Sequence, residues 1–266
     1  MGRLHLFELE DQPWFPTGVR DAATDFLRFA LHTGDMYAPT APLLRDLLDR
    51  TGARQIVDLC SGGGGPWTRL LPALGPDVRV CLTDLYPNRQ GMQRVQEESG
   101  GRITFRPEPV DATAVPADLP GVRTLFTALH HFRPEEARAV LADAVRQRQP
   151  VAAFEFTERS LRGLLLSAAS PLLVWGSTPR IRPLHPARLL WTYLVPLVPL
   201  TVLVDGVVSS LRTYSPPELR ELVAEFETYT WEIGTVRGPS AFAVTYLVGY
   251  PMERASRWAA DASLEA

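Results

Sequence analysis

The feature that most constrains the fold of this chain is a run of four glycines directly after a short apolar segment. Residues 55–59 read QIVDL, and the glycines follow at 62–65. A second apolar segment, 78–83, ends immediately before Asp84. A glycine turn after one strand and an acid after the next is how an open α/β sheet binds an adenosine-containing cofactor, because the glycines let the backbone approach the ligand and the acid accepts hydrogen bonds from ribose hydroxyls.

Two common nucleotide-binding motifs do not fit these glycines. The dinucleotide motif G-x-G-x-x-G needs a third glycine, but Trp67 or Thr68 occupies that position, depending on which glycine starts the motif. The P-loop needs Gly-Lys-Ser/Thr, and all 27 basic residues of this chain are arginines. The sequence therefore disfavours a nucleotide-sugar or NAD oxidoreductase and excludes a P-loop enzyme.

Apolar segments alternate with amphipathic ones through the middle of the chain. Predicted strands cover 55–59, 78–83, 103–107, 124–129, 151–156, 228–236 and 241–249, the last two around a Gly238–Pro239 turn. Helical spacing predicts helices over 17–31 and 41–50, helices starting near Pro66, Asn88 and Pro134, and one after a capping box formed by Ser215 and Glu218. Strands alternating with helices predict an α/β, doubly wound, mostly parallel sheet.

The glycine turn also resembles a specific family. Asp58, Gly62 and Gly64 match motif I of the class I S-adenosylmethionine-dependent methyltransferases, acid-x-Gly-x-Gly-x-Gly, with Cys60 in place of the first glycine. The resemblance covers roughly residues 55–156 and 215–249. It implies a seven-stranded sheet with an antiparallel last strand, N-terminal helices over the pocket, and S-adenosylmethionine as the cofactor, with S-adenosylhomocysteine as its product.

We expect one methyltransferase-like domain over residues 1–266. It divides into an N-terminal helical cap (1–52), a cofactor-binding core (53–158), an apolar helical insertion (159–213), a last helix with a C-terminal hairpin (214–250) and a tail (251–266). The composition, with 45% hydrophobic and 21% charged residues, is that of an ordinary globular protein. A net charge of -3 gives no indication of nucleic-acid binding.

The two cysteines and the N-terminal residues bear on the cellular location of the protein. Cys60 and Cys81 lie at or in predicted buried strands, so we expect core residues rather than a metal site or a disulfide, and we predict no metal. The first residues contain no apolar signal-peptide segment. A cytoplasmic protein, with a peripheral membrane contact as the alternative, is the expectation.

The resemblance assigns cofactor roles to residues at the carboxyl ends of the strands, where open α/β sheets bind ligands. It implies that Asp58 holds the turn amides or the methionine amino group, that Asp84 binds the ribose, and that Leu85 lies beside the adenine. Asp111 either reads the adenine amino group or is a solvated loop acid, and Tyr37 either faces the cofactor or is a surface aromatic. The predicted cofactor-binding residues are Tyr37, Asp58, Cys60, Ser61, Gly62, Gly64, Asp84, Leu85, Asp111, Ala112 and Ala128.

Candidate catalytic residues follow predicted strands four and five. His130 and His131 are adjacent, and since neighbouring residues of an extended strand point to opposite faces, we expect only one of them to face the pocket. Each histidine is a general base, a pocket-lining residue or neither. Glu155 and Glu158 are alternative bases or acceptor-binding groups, and His130, His131 and Glu155 form the predicted catalytic set.

The insertion contains two apolar stretches, 161–175 and 189–204, joined by a basic, proline-rich loop over 179–188. A transmembrane helix needs about 20 apolar residues, and the second stretch is shorter and carries two prolines. Three interpretations remain: a lid that forms an apolar acceptor pocket, a surface that enters a membrane interface, and a homodimer interface through 160–204. Arg180, Arg182 and Arg188 either bind an anionic group or form a solvated basic loop.

These observations predict an S-adenosylmethionine-dependent methyltransferase that acts on a hydrophobic small molecule or lipid-like acceptor. One alternative is the same fold binding the cofactor for a non-methylating reaction, such as a cyclisation or isomerisation. Another is a membrane-associated protein without catalytic activity.

Overall fold

The computed structural model of the protein describes residues 2–238 and 243–252. Seven strands form one sheet in the order β3-β2-β1-β4-β5-β7-β6. Strands β1 to β5 run parallel, and β7 pairs antiparallel with both β5 and β6. Their bounds are β1 Gln55–Leu59, β2 Arg79–Leu82, β3 Ile103–Phe105, β4 Val122–Phe126, β5 Val151–Glu155, β6 Tyr229–Arg237 and β7 Ala243–Pro251. The predicted fold class, including the seven strands and the antiparallel end of the sheet, is confirmed.

The described residues also form nine α-helices. They are α1 Thr17–Gly34, α2 Ala41–Thr51, α3 Trp67–Leu70, α4 Arg89–Glu98, α5 Pro134–Arg146, α6 Leu161–Ser177, α7 Pro186–Leu189, α8 Leu197–Arg212 and α9 Pro216–Val223. Two predicted helix starts are confirmed in detail. Asn88 accepts a hydrogen bond from the Gly91 amide at 2.9 Å, and Ser215 and Glu218 form a capping box.

The sheet buries both of its faces. On one face, Ile56 and Val80 pack with residues of α2 and α4, including Leu44 and Val95. On the other face, Val57 packs with residues of α5 and α9. Because successive strand residues point to opposite sides, a strand that buries both faces reads as a continuous apolar run, which explains the sequence pattern of the core.

A third core joins the N-terminal helix to the insertion. Val19 and Phe26 of α1 pack with Val174 of α6 and with Val198 and Val202 of α8. The insertion thus forms one layer with α1 rather than a separate unit. This layer lies over the carboxyl ends of the parallel strands, because residues from all three helices line the cavity found there.

The basic loop of the insertion departs from the prediction at Arg188. This side chain is buried, lies 2.7 Å from the Asp25 carboxylate of α1, and donates to the carbonyls of Ile181 and Pro183. The proposal of a solvated or acceptor-binding Arg188 is wrong, because its charge is neutralised by Asp25 inside the layer.

The end of β4 also differs from the prediction. The strand covers Val122–Phe126 rather than 124–129, and Leu129–His131 form a 3-10 turn. Thr127 adopts a left-handed φ of 48°, which ends the extended backbone. The predicted turn residue Pro239 and residues 241–242 of the predicted last strand lie outside the described residues, as do residues 253–266 of the predicted tail.

Within the described ranges, no single helix has the length and apolar character needed to cross a membrane. The segments Pro186–Leu194 and Leu197–Arg212 meet the criterion only when taken together, and they are bent by 73° relative to each other.

Candidate active site

A cavity of about 700 Å³ lies at the carboxyl ends of β1, β2, β4 and β5. Its lining comes from the glycine turn, from residues 84–86 after β2, from the 3-10 turn after β4, from the N-terminal segment, and from α1, α6 and α8. This is the edge at which open α/β sheets bind ligands, and the volume is that of a small-molecule site.

The glycine turn after β1 takes its shape from left-handed residues. Cys60 has φ 56°, Gly62 has φ 52° and Gly64 has φ 112°. A side chain on Gly64 would collide with Val95, so this position needs glycine for packing as well as for its backbone angle. Cys60 stands where the motif has glycine and still adopts the left-handed angle, so this departure from the motif leaves the turn intact.

Asp58 connects this turn to the sheet through hydrogen bonds. One carboxylate oxygen accepts from the Ser61 hydroxyl at 2.7 Å, and the other accepts from the Thr124 hydroxyl at 2.7 Å. Burial raises the pKa of Asp58 to about 6, against the opposing effect of these hydrogen bonds. The side chain borders the cavity, but the contacts that the structure shows are with hydroxyls rather than with turn amides.

Asp84 borders the same end of the cavity. Its two carboxylate oxygens accept from the amides of Gly62 and Tyr86, each at 2.7 Å. Burial raises the pKa of Asp84, against the effect of the two amides. A carboxylate offers about four lone-pair directions, so acceptor capacity remains for ribose hydroxyls. Leu85 is half exposed beside it and also lines the cavity.

Glu155 organises the turn after β4. Its Oε1 accepts from the amides of Ala128, Leu129 and His130 at 3.1, 2.8 and 3.3 Å. Its Oε2 lies 2.8 Å from Nδ1 of His130. Burial alone would raise the pKa of Glu155, but the two neighbouring histidines and the hydrogen bonds from His130 together outweigh burial and lower it, so the carboxylate is ionised. Glu155 is buried and does not line the cavity, so the prediction of a catalytic base is wrong for this residue and a positioning role replaces it.

His130 is held with its second nitrogen free. Because an ionised carboxylate only accepts, the neutral ring carries its proton on Nδ1 and leaves a lone pair on Nε2. Nε2 is buried, has no hydrogen-bond partner among the described residues, and lies 3.7 Å from Oε1 of Glu8. His130 lines the cavity, and Nε2 is its ring nitrogen without a hydrogen-bond partner in the described part of the chain, which makes this nitrogen the candidate for a general base.

His131 lines the cavity as well, which contradicts the expectation that only one histidine faces it. The two rings lie 4.4 Å apart, since the 3-10 turn does not send neighbouring side chains to opposite faces. Nδ1 of His131 is 2.7 Å from Asp11 and 3.4 Å from Glu8. Burial alone would lower the pKa of His131, but these carboxylates raise it to about 10. His131 is therefore a cation at neutral pH and cannot accept a proton.

Several site residues carry no motif in the sequence. The Arg212 guanidinium lies 3.1 Å from Glu8 and 3.0 Å from Asp11, and it donates to the His130 carbonyl at 3.0 Å. Asp205 accepts from the amides of Leu9 and Glu10, and burial raises its pKa to about 6. A signal existed for α8: Asp205, Ser209 and Arg212 recur at helical spacing in an otherwise apolar helix, where burying polar groups is costly.

Some predicted cofactor residues lie away from the cavity. Tyr37 is buried behind the wall, where its hydroxyl bonds to Thr127 and its ring packs on Phe126, so it is neither a surface aromatic nor a lining residue. Asp111 is exposed and accepts from the amide and hydroxyl of Thr113, while Ala112 is in the core. Tyr37, Gly64, Asp111 and Ala112 do not line the cavity, whereas Asp58, Cys60, Ser61, Gly62, Asp84, Leu85 and Ala128 do.

Comparisons with known proteins find similar structures but no similar sequence. No protein-family model and no curated protein matches the sequence. A putative O-methyltransferase from Nostoc punctiforme PCC 73102 is 15% identical with a TM-score of 0.53, and the match covers 94% of this chain and 64% of that one. The S-adenosylmethionine-dependent methyltransferase SibL, in its apo form, is 16% identical with a TM-score of 0.50 and coverages of 82% and 56%.

The strand order of the sheet and these structural matches indicate the same fold. The chain has the class I methyltransferase fold. A protein from Rhodobacter sphaeroides, described as a putative Zn-dependent alcohol dehydrogenase, shares the fold at 16% identity and a TM-score of 0.51, with 90% of this chain and 100% of that chain covered. The present chain spans about three-fifths of the length of the two methyltransferases. At these sequence identities the similarity establishes the fold alone, and any chemical activity has to be inferred from the residues of the site.

The charged state of His131 predicts a pH-dependent contribution to stability. Its pKa of about 10 in the folded protein lies above the ordinary value of 6.5. The stabilisation is therefore complete below pH 6.5 and is lost as the pH rises through about 10. We expect the difference in unfolding free energy between wild type and His131→Asn to be on the order of 3 kcal/mol at pH 6 and to shrink towards pH 10, measured by urea denaturation.

His5→Asn is the matched control between pH 7 and 10. Burial lowers the pKa of His5 to about 4, so this ring is neutral throughout that range. A His131→Asn difference that stays constant or grows with pH would contradict the ionic pairing with Glu8 and Asp11.

Proposed function

We propose that this chain binds S-adenosylmethionine in the cavity and transfers the methyl group to a hydrophobic small molecule or lipid-like acceptor. The observation that carries the proposal is the continuity of one cavity. Its lining combines the glycine turn and Asp84, His130, and apolar side chains of α1 and the insertion. The proposed cofactor site, the proposed base and the proposed acceptor site therefore share one connected cavity.

The residues at the turn fit the cofactor. Gly62 and Gly63 line the cavity without side chains, Asp84 has unused acceptor capacity for ribose hydroxyls, and Leu85 offers an apolar surface. When bound, S-adenosylmethionine supplies an electrophilic methyl group on a sulfonium. The protein contributes orientation of the acceptor, exclusion of water and removal of a proton.

His130 is the group that accepts this proton. An acceptor hydroxyl or amine that reaches Nε2 transfers its proton there, while the proton on Nδ1 stays in the hydrogen bond with Glu155. The imidazolium that forms is stabilised by the adjacent carboxylate. Glu8 lies 3.7 Å from the same nitrogen and offers a second acceptor for a donor group on the substrate. This arrangement separates the base, His130, from the permanent cation, His131.

The apolar part of the cavity lining favours an apolar acceptor. It comprises side chains of α1, of the ends of β4 and β5, and of the insertion: Phe26, Leu27, Leu31, Phe126, Phe156, Leu166, Leu173 and Val202. Apolar walls with a few convergent polar groups are typical of sites that bury a hydrophobic ligand and orient one reactive atom. The polar groups here converge at His130, so the reactive atom of the acceptor belongs at that end.

Calorimetric titration tests the cofactor. We expect S-adenosylhomocysteine to bind wild type, and we expect Asp84→Ala to weaken binding by roughly 1–3 kcal/mol, because the ribose hydroxyls lose a charged acceptor. Asp111→Ala is the matched control, since Asp111 is exposed outside the cavity and its loss leaves the affinity unchanged. Binding of NAD in preference to S-adenosylhomocysteine, or an equal effect of the two substitutions, would overturn the assignment.

Turnover tests the base. With tritiated S-adenosylmethionine and a total lipid extract, we expect His130→Gln to lower methyl incorporation by about 100-fold or more, while the affinity for S-adenosylhomocysteine is unchanged. His131→Gln provides the comparison, because a cationic ring cannot act as base. Full activity of His130→Gln together with a collapse in His131→Gln would show that the roles are reversed.

A further inference from the structure

The insertion exposes an unusual amount of apolar surface. Of the twenty-one large hydrophobic side chains exposed in the described part of the chain, fifteen lie between Leu161 and Val204. Leu172 and Leu194 are 68% and 77% exposed. Scattered exposed leucines are ordinary, but a concentration of this kind within one segment marks a surface that binds something apolar.

The exposed side chains follow helical stripes rather than irregular loops. On α6 they recur at Leu161, Leu165, Leu172 and Trp175, three to seven residues apart. On α8 they recur at Leu197, Leu200 and Val204. Trp175 donates to the Thr192 carbonyl, and the Tyr193 hydroxyl donates to the Trp175 carbonyl, so the end of α6 is tied to the segment before α8. We call residues 161–204 with these exposed side chains the apolar face.

The charge of this segment has one sign. Residues 159–204 contain five arginines and no aspartate or glutamate, although the whole chain has more acidic than basic residues. Arg159 pairs with Glu218 and Arg188 pairs with Asp25, whereas Arg180 and Arg182 are exposed in the connection between α6 and α7. Exposed arginines beside apolar and aromatic side chains complement the phosphates and acyl chains of an anionic membrane surface.

The apolar face continues into the cavity. Leu166 and Leu173 are 40% and 59% exposed, and both also line the cavity wall. A hydrophobic molecule on this face therefore reaches the cavity without crossing a polar rim on α6. The bent pair Pro186–Leu194 and Leu197–Arg212 turns by 73°, which suits a segment lying in an interface rather than a straight helix across it.

We propose that the apolar face docks on the surface of an anionic membrane and that the acceptor is a membrane lipid entering the cavity between α1, α6 and α8. The second part rests on the proposed methyl transfer, whereas the docking itself does not. A second copy of the chain is the less suitable occupant, because a two-fold contact places the same surface against itself and would bring its arginines together without acids to neutralise them.

Vesicle flotation tests the docking. We expect wild type to float with vesicles of phosphatidylcholine and phosphatidylglycerol, and to float less with phosphatidylcholine alone. The double variant Leu172→Glu/Leu194→Glu should lower the bound fraction about tenfold or more, because charged side chains replace acyl-chain contacts. Met252→Glu is the matched control: Met252 is 46% exposed and follows β7 beside the amino end of β5, whereas the cavity lies at the carboxyl ends of the parallel strands.

A second variant isolates the charge contribution. Arg180→Glu/Arg182→Glu should reduce binding to phosphatidylglycerol vesicles to the level seen with phosphatidylcholine alone, and added salt should do the same to wild type. The affinity for S-adenosylhomocysteine serves as the folding check, and we expect it to be unchanged in every variant. Methyl incorporation into vesicles made from total lipid extract should fall in parallel with flotation.

The outcomes separate the two proposals. Wild type that binds S-adenosylhomocysteine but does not float overturns the docking and leaves the proposed function in place. Wild type that floats but binds no S-adenosylhomocysteine supports the docking and overturns the function. A dimer in light scattering without lipid, converted to a monomer by Leu172→Glu/Leu194→Glu, together with no flotation, assigns the apolar face to a second copy and overturns the docking.

Discussion

The buried carboxylate of Glu155 fixes the geometry on which the candidate chemistry depends. One oxygen gathers three successive amides after β4, and the other binds Nδ1 of His130. The first set of bonds curls the chain out of the strand, which brings both histidines to the cavity. The second leaves Nε2 of His130 free. An unpaired buried carboxylate would be costly, so the same bonds that stabilise Glu155 also orient His130, the proposed base.

The cavity is bordered near the two histidines by parts of the chain that are distant in sequence. Asp205 of α8 binds the amides of Leu9 and Glu10, and Arg212 of the same helix binds Glu8 and the His130 carbonyl. The N-terminal segment is thereby held between the insertion and the turn after β4. Glu8 raises the pKa of His131 from this position, so the insertion, which holds the N-terminal segment in place, also influences the charge around the two histidines.

The sequence predicted the sheet and its cofactor edge because those features are local. Each signal, a glycine turn after one buried strand and an acid after the next, is local in the chain, and the predicted cofactor-binding residues Asp58, Gly62 and Asp84 all line one cavity. The errors came from long-range contacts. The shortened β4 depends on Glu155, which is 25 residues from His130 in the chain, and the burial of Arg188 depends on Asp25 in α1. Spacing along the chain contains no information about such partners.

The measurement that tests this account most directly is the position of the proton on the neutral His130 ring. Nitrogen-15 correlation spectra of the imidazoles, assigned with His130→Gln, report which ring nitrogen carries hydrogen. The pairing with Glu155 predicts a proton on Nδ1 and a bare Nε2. A proton on Nε2 in the neutral ring would contradict the account, because that nitrogen would then be unable to take a proton from an acceptor.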